Sequence, residues 1–153
     1  MKVLRRGAIL FAAGIALAAL APSAEADGPF QYYAITPCRA IDTRSSSRIQ
    51  RVVAYNVTIK GGVCPVPLDA LAVSLNVTVV NPSAAGWLAM WPKDAAPANV
   101  STLNFLAGEP AIANGAIAPL AAATTPDLTL WYNGTMTTPE SLDAIIDVTG
   151  YFK

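Results

Sequence analysis

The sequence contains no histidine among its 153 residues, and few of its side chains carry charge. Histidine is the commonest general acid or base near neutral pH, so the side chain used most often for proton transfer is missing. Asp, Glu, Lys and Arg together make up only 13% of the chain, and no basic stretch forms the footprint that a phosphate backbone requires. The composition therefore excludes His-based catalysis and argues against a nucleic-acid partner.

Cysteine is nearly as scarce, since Cys38 and Cys64 are the only two in the chain. Two thiols without any histidine cannot fill the tetrahedral shell of zinc, so we expect no metal site. In an oxidising compartment the economical interpretation is one disulfide, which closes a loop of about 27 residues and contributes roughly 3–4 kcal/mol. The alternative is a pair of free buried thiols. The even count favours the disulfide.

Several motifs of known chemistry are also missing. The chain has no Gly-x-Ser-x-Gly elbow, phosphate-binding loop, calcium loop or dinucleotide fingerprint, so we predict no catalytic residue and no cofactor. Two carboxylates could in principle hydrolyse a glycosidic bond, but the spacing of the acids selects no pair. The acids considered for this least favoured function, a secreted glycoside hydrolase, are Glu109, Glu140, Asp143 and Asp147.

The first 26 residues have the layout of a secretory signal peptide. A basic start is followed by an uncharged apolar run at residues 7–20 and by the small-x-small sequence Ala24-Glu25-Ala26, which predicts cleavage between Ala26 and Asp27. The run of about 14 residues is shorter than the roughly 20 that span a bilayer, so a retained anchor is the weaker alternative. We expect a secreted, extracellular or cell-surface protein, with the periplasm as an alternative and no membrane attachment after cleavage. Arg5-Arg6 leaves both the Sec and the twin-arginine export routes open.

The remaining residues, 27–153, suit a single domain with one core. They contain seven Lys and Arg against nine Asp and Glu, a net charge of about −2. This part of the chain is apolar for a soluble monomer, which leaves room for self-association.

Alternation of apolar and polar residues with a period of two dominates residues 27–153. In residues 70–81, Leu71 and every second residue after it as far as Val79 are apolar and predicted to face inward. Residues 51–60 repeat the pattern, with Val53 predicted inward and Lys60 outward. Further strands are predicted near residues 30–35, 86–91, 101–105, 128–132 and 144–152.

Turn signals separate these segments. Asn133-Gly134 after an apolar strand predicts a hairpin, and the alanine-rich residues 111–123 are interpreted as strand and loop because Gly115 and Pro119 interrupt them. Seven to nine short strands at this spacing predict an all-β fold, a single β-sandwich. The topology is left open between jelly-roll-like and immunoglobulin-like.

Four phrases occur in this order: Thr36-Pro37-Cys38-Arg39-Ala40-Ile41-Asp42-Thr43-Arg44, Ser74-Leu75-Asn76-Val77-Thr78-Val79-Val80-Asn81-Pro82, Ser101-Thr102-Leu103-Asn104-Phe105 and Asp147-Val148-Thr149-Gly150-Tyr151-Phe152. Together they resemble a β-rich domain of bacterial secreted and surface proteins that often occurs as tandem repeats. The resemblance covers about residues 35–152. It implies an extracellular location and no known catalytic role.

Charged residues in two of these phrases predict an ion pair. Asp147 interrupts an otherwise apolar terminal strand, where a carboxylate is costly unless it is paired. We expect Arg44 or Arg39 to form an ion pair with Asp147, which connects the start of the domain to its last strand. Asp42 is expected to belong to the same group of charges. The alternative is an aspartate that simply faces water on an edge strand.

The aromatic residues are the best indication of a binding function. Trp87 and Trp91 fall on one face of a strand, and Trp131 and Tyr132 form a second group. If the indoles face outward, they form a platform for sugar rings or for a subunit contact. The alternative is that they fill the core of the sandwich.

These observations favour a non-catalytic extracellular or cell-surface domain with a structural, adhesive or self-assembling role. Exposed strand edges offer a route to a homo-oligomer or filament by strand addition. The alternative function is that of a carbohydrate-binding module, with polysaccharide as its partner and the tryptophans as its contact residues. Nucleic acid and membrane are not expected partners.

Overall fold

A computed structural model of the protein describes residues 29–134 and 140–153. The predicted signal peptide and its predicted cleavage site between Ala26 and Asp27 lie outside the described residues. The described residues contain no helix with the length and hydropathy of a membrane span. Their strands are β1 (Tyr32–Asp42), β2 (Ile49–Gln50), β3 (Ala54–Val57), β4 (Ala72–Val80), β5 (Gly86–Pro92), β6 (Leu103–Phe105), β7 (Ala111–Pro119), β8 (Leu128–Gly134) and β9 (Ser141–Phe152), with one 3₁₀ turn at Thr43–Ser45.

The strands form two antiparallel sheets packed against each other, so the predicted all-β sandwich is confirmed. The first sheet has the order β1-β9-β4-β7, and the short β2 also pairs with β9. The second sheet has the order β3-β8-β5-β6. The last strand therefore lies inside the first sheet, between the first strand and β4.

The core lies between the sheets and follows from the alternating pattern. On β4, Val73, Leu75, Val77 and Val79 are at most 2% exposed, as the period of two predicts. Leucines of β5 and β8 meet them from the second sheet. Burying each such side chain contributes about 1.5–3 kcal/mol, so this interface is the main source of stability.

The disulfide between Cys38 and Cys64 is present, as predicted. It joins β1 to the loop before β4 across a Cα–Cα distance of 5.7 Å. Neither thiol is free, which fits folding in an oxidising compartment.

The single strand predicted at residues 51–60 is wrong, because the chain turns at Val52. The φ angle of Val52 is 53°, a left-handed conformation that no regular strand contains. Val53, predicted inward, is consequently 55% exposed, and only β3 forms from this stretch. Leu71, also predicted inward, is 44% exposed because it precedes β4.

Lys60, predicted to face water, is also placed differently. It is only 6% exposed, and its ammonium donates to the backbone carbonyls of Ala121 and Ala122. The fully buried carboxylate of Asp127 accepts the backbone N–H groups of Ile59 and Lys60 at 2.9 and 2.7 Å. These hydrogen bonds hold the chain beyond β3 in place. They could not be predicted from the alternation of apolar and polar residues.

The hairpin predicted at Asn133-Gly134 does not form. Both residues belong to β8, which pairs with β3 and β5, whereas the next strand, β9, belongs to the first sheet. The chain therefore crosses from one sheet to the other after Gly134.

Candidate functional site

Arg39 and Asp147 form the predicted ion pair between β1 and β9. They are register partners, and Arg39 Nε donates to Asp147 Oδ1 at 2.8 Å while Nη2 donates to Oδ2 at 3.1 Å. Of the two arginines considered, it is Arg39 that meets Asp147. Both side chains are partly exposed, so the contact acts mainly to fix the register of the two strands.

Arg44 binds Asp42 instead, two residues before it. Arg44 Nε and Nη2 donate to the two carboxylate oxygens at 2.9 and 2.6 Å, and its backbone N–H donates to Oδ1 at 3.2 Å. Asp42 thereby caps the 3₁₀ turn at Thr43–Ser45. The hydrogen bond from Arg44 is the main cause that lowers the pKa of Asp42 to about 2, and the neighbouring Arg39 lowers it further.

Thr43, between these charges, is a structural residue that sequence reasoning missed. Its hydroxyl donates to Asp143 at 3.1 Å and accepts the backbone N–H of Ala144 at 2.9 Å. Asp143 also pairs with Arg48 at 3.0 Å. In the sequence, the only indication of this role is that Thr43 stands between the charged residues Asp42 and Arg44. Asp143, one of the candidate catalytic acids, is therefore held inside the fold.

Tyr132 lies in the core and cannot be a surface ligand residue as predicted. Successive strand residues face opposite ways, so Tyr132 points inward where Trp131 points outward. Its hydroxyl donates to the buried Glu140 at 2.9 Å, and Arg51 Nε lies 3.7 Å from the same carboxylate oxygen. Burial, and then the bond to Glu140, raises the pKa of Tyr132. Among the described residues, Glu140 Oε1 and Arg51 Nε have no hydrogen-bond partner.

The three tryptophans project from the outer face of the second sheet, away from the core. On β5, Leu88 and Met90 belong to the core, and Trp87 and Trp91 alternate with them. Trp131 of β8 lies on the same outer side, and its ring centroid is 6.2 Å from that of Trp91. Trp91 is only 7% exposed, whereas Trp87 and Trp131 are partly exposed.

Uncharged polar residues surround these indoles. Strand register places Trp87 between Asn104 of β6 and Asn133 of β8, and it places Thr129 between Trp91 and Asn56. Thr129 donates to the Asn56 side chain at 3.0 Å. We call this surface the tryptophan face. Its residues are Asn56, Trp87, Trp91, Asn104, Thr129, Trp131 and Asn133.

A small cavity lies beside the tryptophan face. It has a volume of about 190 Å³ and is lined by Trp91, Trp131 and the loop residues Pro97, Ala98 and Asn99. The loop between β5 and β6 thus forms one wall and the indoles form the other. Its lining is mostly apolar, and its volume is below the roughly 300–1,000 Å³ of pockets that enclose a small molecule, so it can only extend the surface beside it.

The second notable surface is the open edge of β7. This nine-residue strand pairs with β4 over its whole length without a bulge, and no strand pairs with its other side among the described residues. It contains no charged residue, and Ile117 is 65% exposed. A groove of about 520 Å³ runs over Gly115 on its outer face. Long, flat, uncharged edges are templates for pairing with another strand.

The described residues contain no group of three or more His, Cys, Asp or Glu side chains that could hold a metal ion. Comparison of the chain with protein-family models and with curated proteins gives no match. The candidate functional surfaces of the described residues are therefore the tryptophan face and the open edge of β7.

Proposed function

We propose that this chain is a non-catalytic domain, exported from the cytoplasm, that has a structural role and associates with a second copy of itself through β7. The observation that carries the proposal is the open, uncharged, nine-residue edge of β7. The signal peptide predicted from the sequence and the disulfide support a location outside the cytoplasm. The resemblance to bacterial surface domains points to the same location.

The charged residues support a non-catalytic role because the structure uses them internally. Asp147 and Asp42 are neutralised by Arg39 and Arg44, and Asp143 is bound by Arg48. The only two thiols of the chain are joined in the disulfide. The Arg39–Asp147 pair holds β1 against β9, and the disulfide holds β1 against the loop before β4. Such structural roles account for these groups without chemistry on a substrate.

The other strand edges are less suited to pairing than β7. β1, at the opposite edge of the first sheet, has register shifts between Ala34 and Cys38 and between Arg39 and Ile41, and it carries Arg39. The edges of the second sheet, β3 and β6, have only four and three residues. Bulges, charges and short length are the usual protections of a sheet edge, and β7 has none of them.

Pairing of two β7 strands gives a closed two-fold dimer. In an antiparallel arrangement centred on Gly115, Ala113 of one copy faces Ile117 of the other, and no like charges oppose each other. Each first sheet then continues into the next through backbone hydrogen bonds. Because β7 is the only edge open in this way among the described strands, we expect dimers ahead of long filaments.

Sedimentation of the secreted protein tests this proposal. We expect a dimer that is lost when Ala113 and Ile117 are both replaced by lysine, because both side chains are exposed on the outer face and the new charges would oppose each other across the pairing. The matched control replaces Val63 and Leu68 by lysine, since they are 78% and 73% exposed and belong to the loop between β3 and β4, not to β7. This control variant should remain dimeric.

Two results would overturn the proposal. One is a wild-type protein that stays monomeric up to about 1 mM. The other is an Ala113→Lys/Ile117→Lys variant that dimerises as strongly as the wild type. Electron microscopy of the same samples shows whether association goes on to filaments.

A further inference from the structure

We propose that the tryptophan face binds neutral carbohydrate, as a site separate from the β7 edge and independent of it. The tryptophan face belongs to the second sheet and β7 to the first, so occupation of one leaves the other open. Three features of this face favour carbohydrate: the outward indoles, the amides beside them and the absence of charge on its strands.

Trp87 has the surroundings of a stacking platform for one sugar ring. A pyranose ring has C–H groups on its flat side and hydroxyls around its rim, so it can lie on an indole while its rim forms hydrogen bonds. Asn104 and Asn133 are the register partners of Trp87 on the two neighbouring strands, about 4.8 Å away on either side. Each amide supplies N–H donors, and among the described residues the side-chain oxygen of Asn104 is a free acceptor, whereas that of Asn133 already accepts the backbone N–H of Gly134 at 3.0 Å.

Polar groups on the tryptophan face are free to bind a ligand. Among the residues that the structure describes, the indole N–H groups of Trp87 and Trp131 donate to no protein acceptor, and the side chain of Asn104 has no hydrogen-bond partner. None of these groups is sealed from solvent. Their hydrogen bonds go to water in the free protein and are available to hydroxyls of a ligand.

A second contact lies close to the first. Ala89 and Ala54 flank Trp131 across the sheet, so no large neighbour on these two strands covers its ring. Trp87 and Trp131 are diagonal neighbours on adjacent strands, about 7–8 Å apart. The cavity beside Trp131 continues the surface in the same direction. A chain of two or more sugar units should therefore bind more tightly than a monosaccharide.

The lack of charge selects a neutral ligand. The outward positions of β3, β5, β6 and β8 carry tryptophan, asparagine, threonine and alanine, with no Asp, Glu, Lys or Arg. An anionic polysaccharide would find no cation on these strands to offset the loss of its hydration. We therefore expect cellulose or chitin type chains to bind in preference to polygalacturonate or heparin.

Pull-down on insoluble cellulose and chitin, together with tryptophan fluorescence titration by cello- and chito-oligosaccharides, tests the proposal on the mature disulfide-bonded protein. We expect Trp87→Ala and Trp131→Ala each to weaken binding at least about tenfold, as central aromatic contacts do. Asn104→Ala should weaken binding without removing an aromatic ring. The matched control is Tyr32→Ala, which removes a 46% exposed aromatic from the other sheet and should leave affinity unchanged.

Circular dichroism and a melting curve on each variant confirm that the fold is intact. The proposal is overturned if the wild type binds none of these neutral glycans, or if it binds polygalacturonate or heparin more tightly than them. It is equally overturned if folded Trp87→Ala and Trp131→Ala proteins bind as the wild type does. Loss of dimerisation in Trp87→Ala would show instead that this face is a subunit contact, whereas dimerisation through β7 leaves the glycan result unaffected.

Discussion

Arg39 on β1 and Asp147 on β9 lie directly opposite each other, and the guanidinium of Arg39 donates to both oxygens of the carboxylate. The pair joins the first strand of the domain to its last one. Because the two hydrogen bonds are parallel and charge-assisted, this contact specifies one register of β1 against β9.

Arg39→Ala should lower the melting temperature by a few degrees, because it leaves Asp147 without its partner between the apolar residues Ile146 and Val148 of β9. Arg44→Ala should lower it less, since Arg44 binds only Asp42, two residues away on the same segment. Thermal unfolding followed by circular dichroism compares the two variants. An equal effect of both would mean that the contact across the strands adds nothing beyond local pairing.

The free energy of unfolding should decrease as the pH is lowered through the range in which Asp42 becomes protonated. The pKa of Asp42 in the folded protein is about 2, below the ordinary value of 3.8. Because the pKa is lower in the folded protein, the ionised carboxyl of Asp42 contributes its full stabilisation above pH about 4. This stabilisation is lost as the pH falls toward 2. The stability difference between wild type and Asp42→Asn, measured by urea unfolding, should therefore shrink across that window.

Arg44→Gln is the control for this pH dependence. Its side-chain hydrogen bonds are the largest cause of the lowered pKa, so the pKa of Asp42 should move back toward 3.8 in the variant. Titration of the Asp42 carboxyl by NMR measures this directly. An unchanged pKa in Arg44→Gln would contradict the assignment of cause.

The predictions from sequence that are confirmed concern which side of a strand a residue faces, because this depends only on the local alternation of apolar and polar residues. Every second residue of β4 from Val73 to Val79 is buried, and Trp87 and Trp91 share a face as their spacing requires. The bridge between Cys38 and Cys64 could be predicted because there was no third cysteine to choose from. Local periodicity and simple counting are sufficient for such features.

The features that could not be predicted depend on partners far away in sequence. Lys60 can be buried because its ammonium donates hydrogen bonds to the backbone carbonyls of Ala121 and Ala122, about 60 residues later in the chain. Asn133-Gly134 fits a hairpin locally, yet β8 and β9 belong to different sheets. A period of two gives the face of a strand but not its neighbour in the sheet, so Asn104 and Asn133 could not be placed beside Trp87 beforehand.

Removing the Tyr132 hydroxyl should destabilise the fold. Tyr132 donates to Glu140 at 2.9 Å inside the core, and Arg51 is 3.7 Å from the same oxygen. In Tyr132→Phe the buried carboxylate loses its best donor, and we expect a loss of about 1–3 kcal/mol in the free energy of unfolding. Urea unfolding measures the loss. A Tyr132→Phe protein that unfolds at the same urea concentration as the wild type would contradict this role of the hydroxyl.

Two glycines at contrasting places test the sheet geometry. A Cβ at Gly86 would lie 2.3 Å from the backbone oxygen of Asn133, which cannot move without breaking the pairing of β5 with β8. Gly86→Ala should therefore cost about 1–3 kcal/mol or more. A Cβ at Gly115 meets no atom within 4 Å, so Gly115→Ala should be neutral or stabilise by about 0.5–1 kcal/mol through lower backbone freedom in the unfolded chain.

Urea unfolding of the two alanine variants side by side separates a steric effect from the general effect of losing a glycine. If Gly86→Ala were as stable as Gly115→Ala, β5 and β8 could not be paired as described. The consequence would reach the tryptophan face, because the same pairing places Trp87 opposite Asn133 and Ala89 opposite Trp131. A destabilised Gly86→Ala with an unaffected Gly115→Ala therefore supports the register on which the proposed glycan site depends.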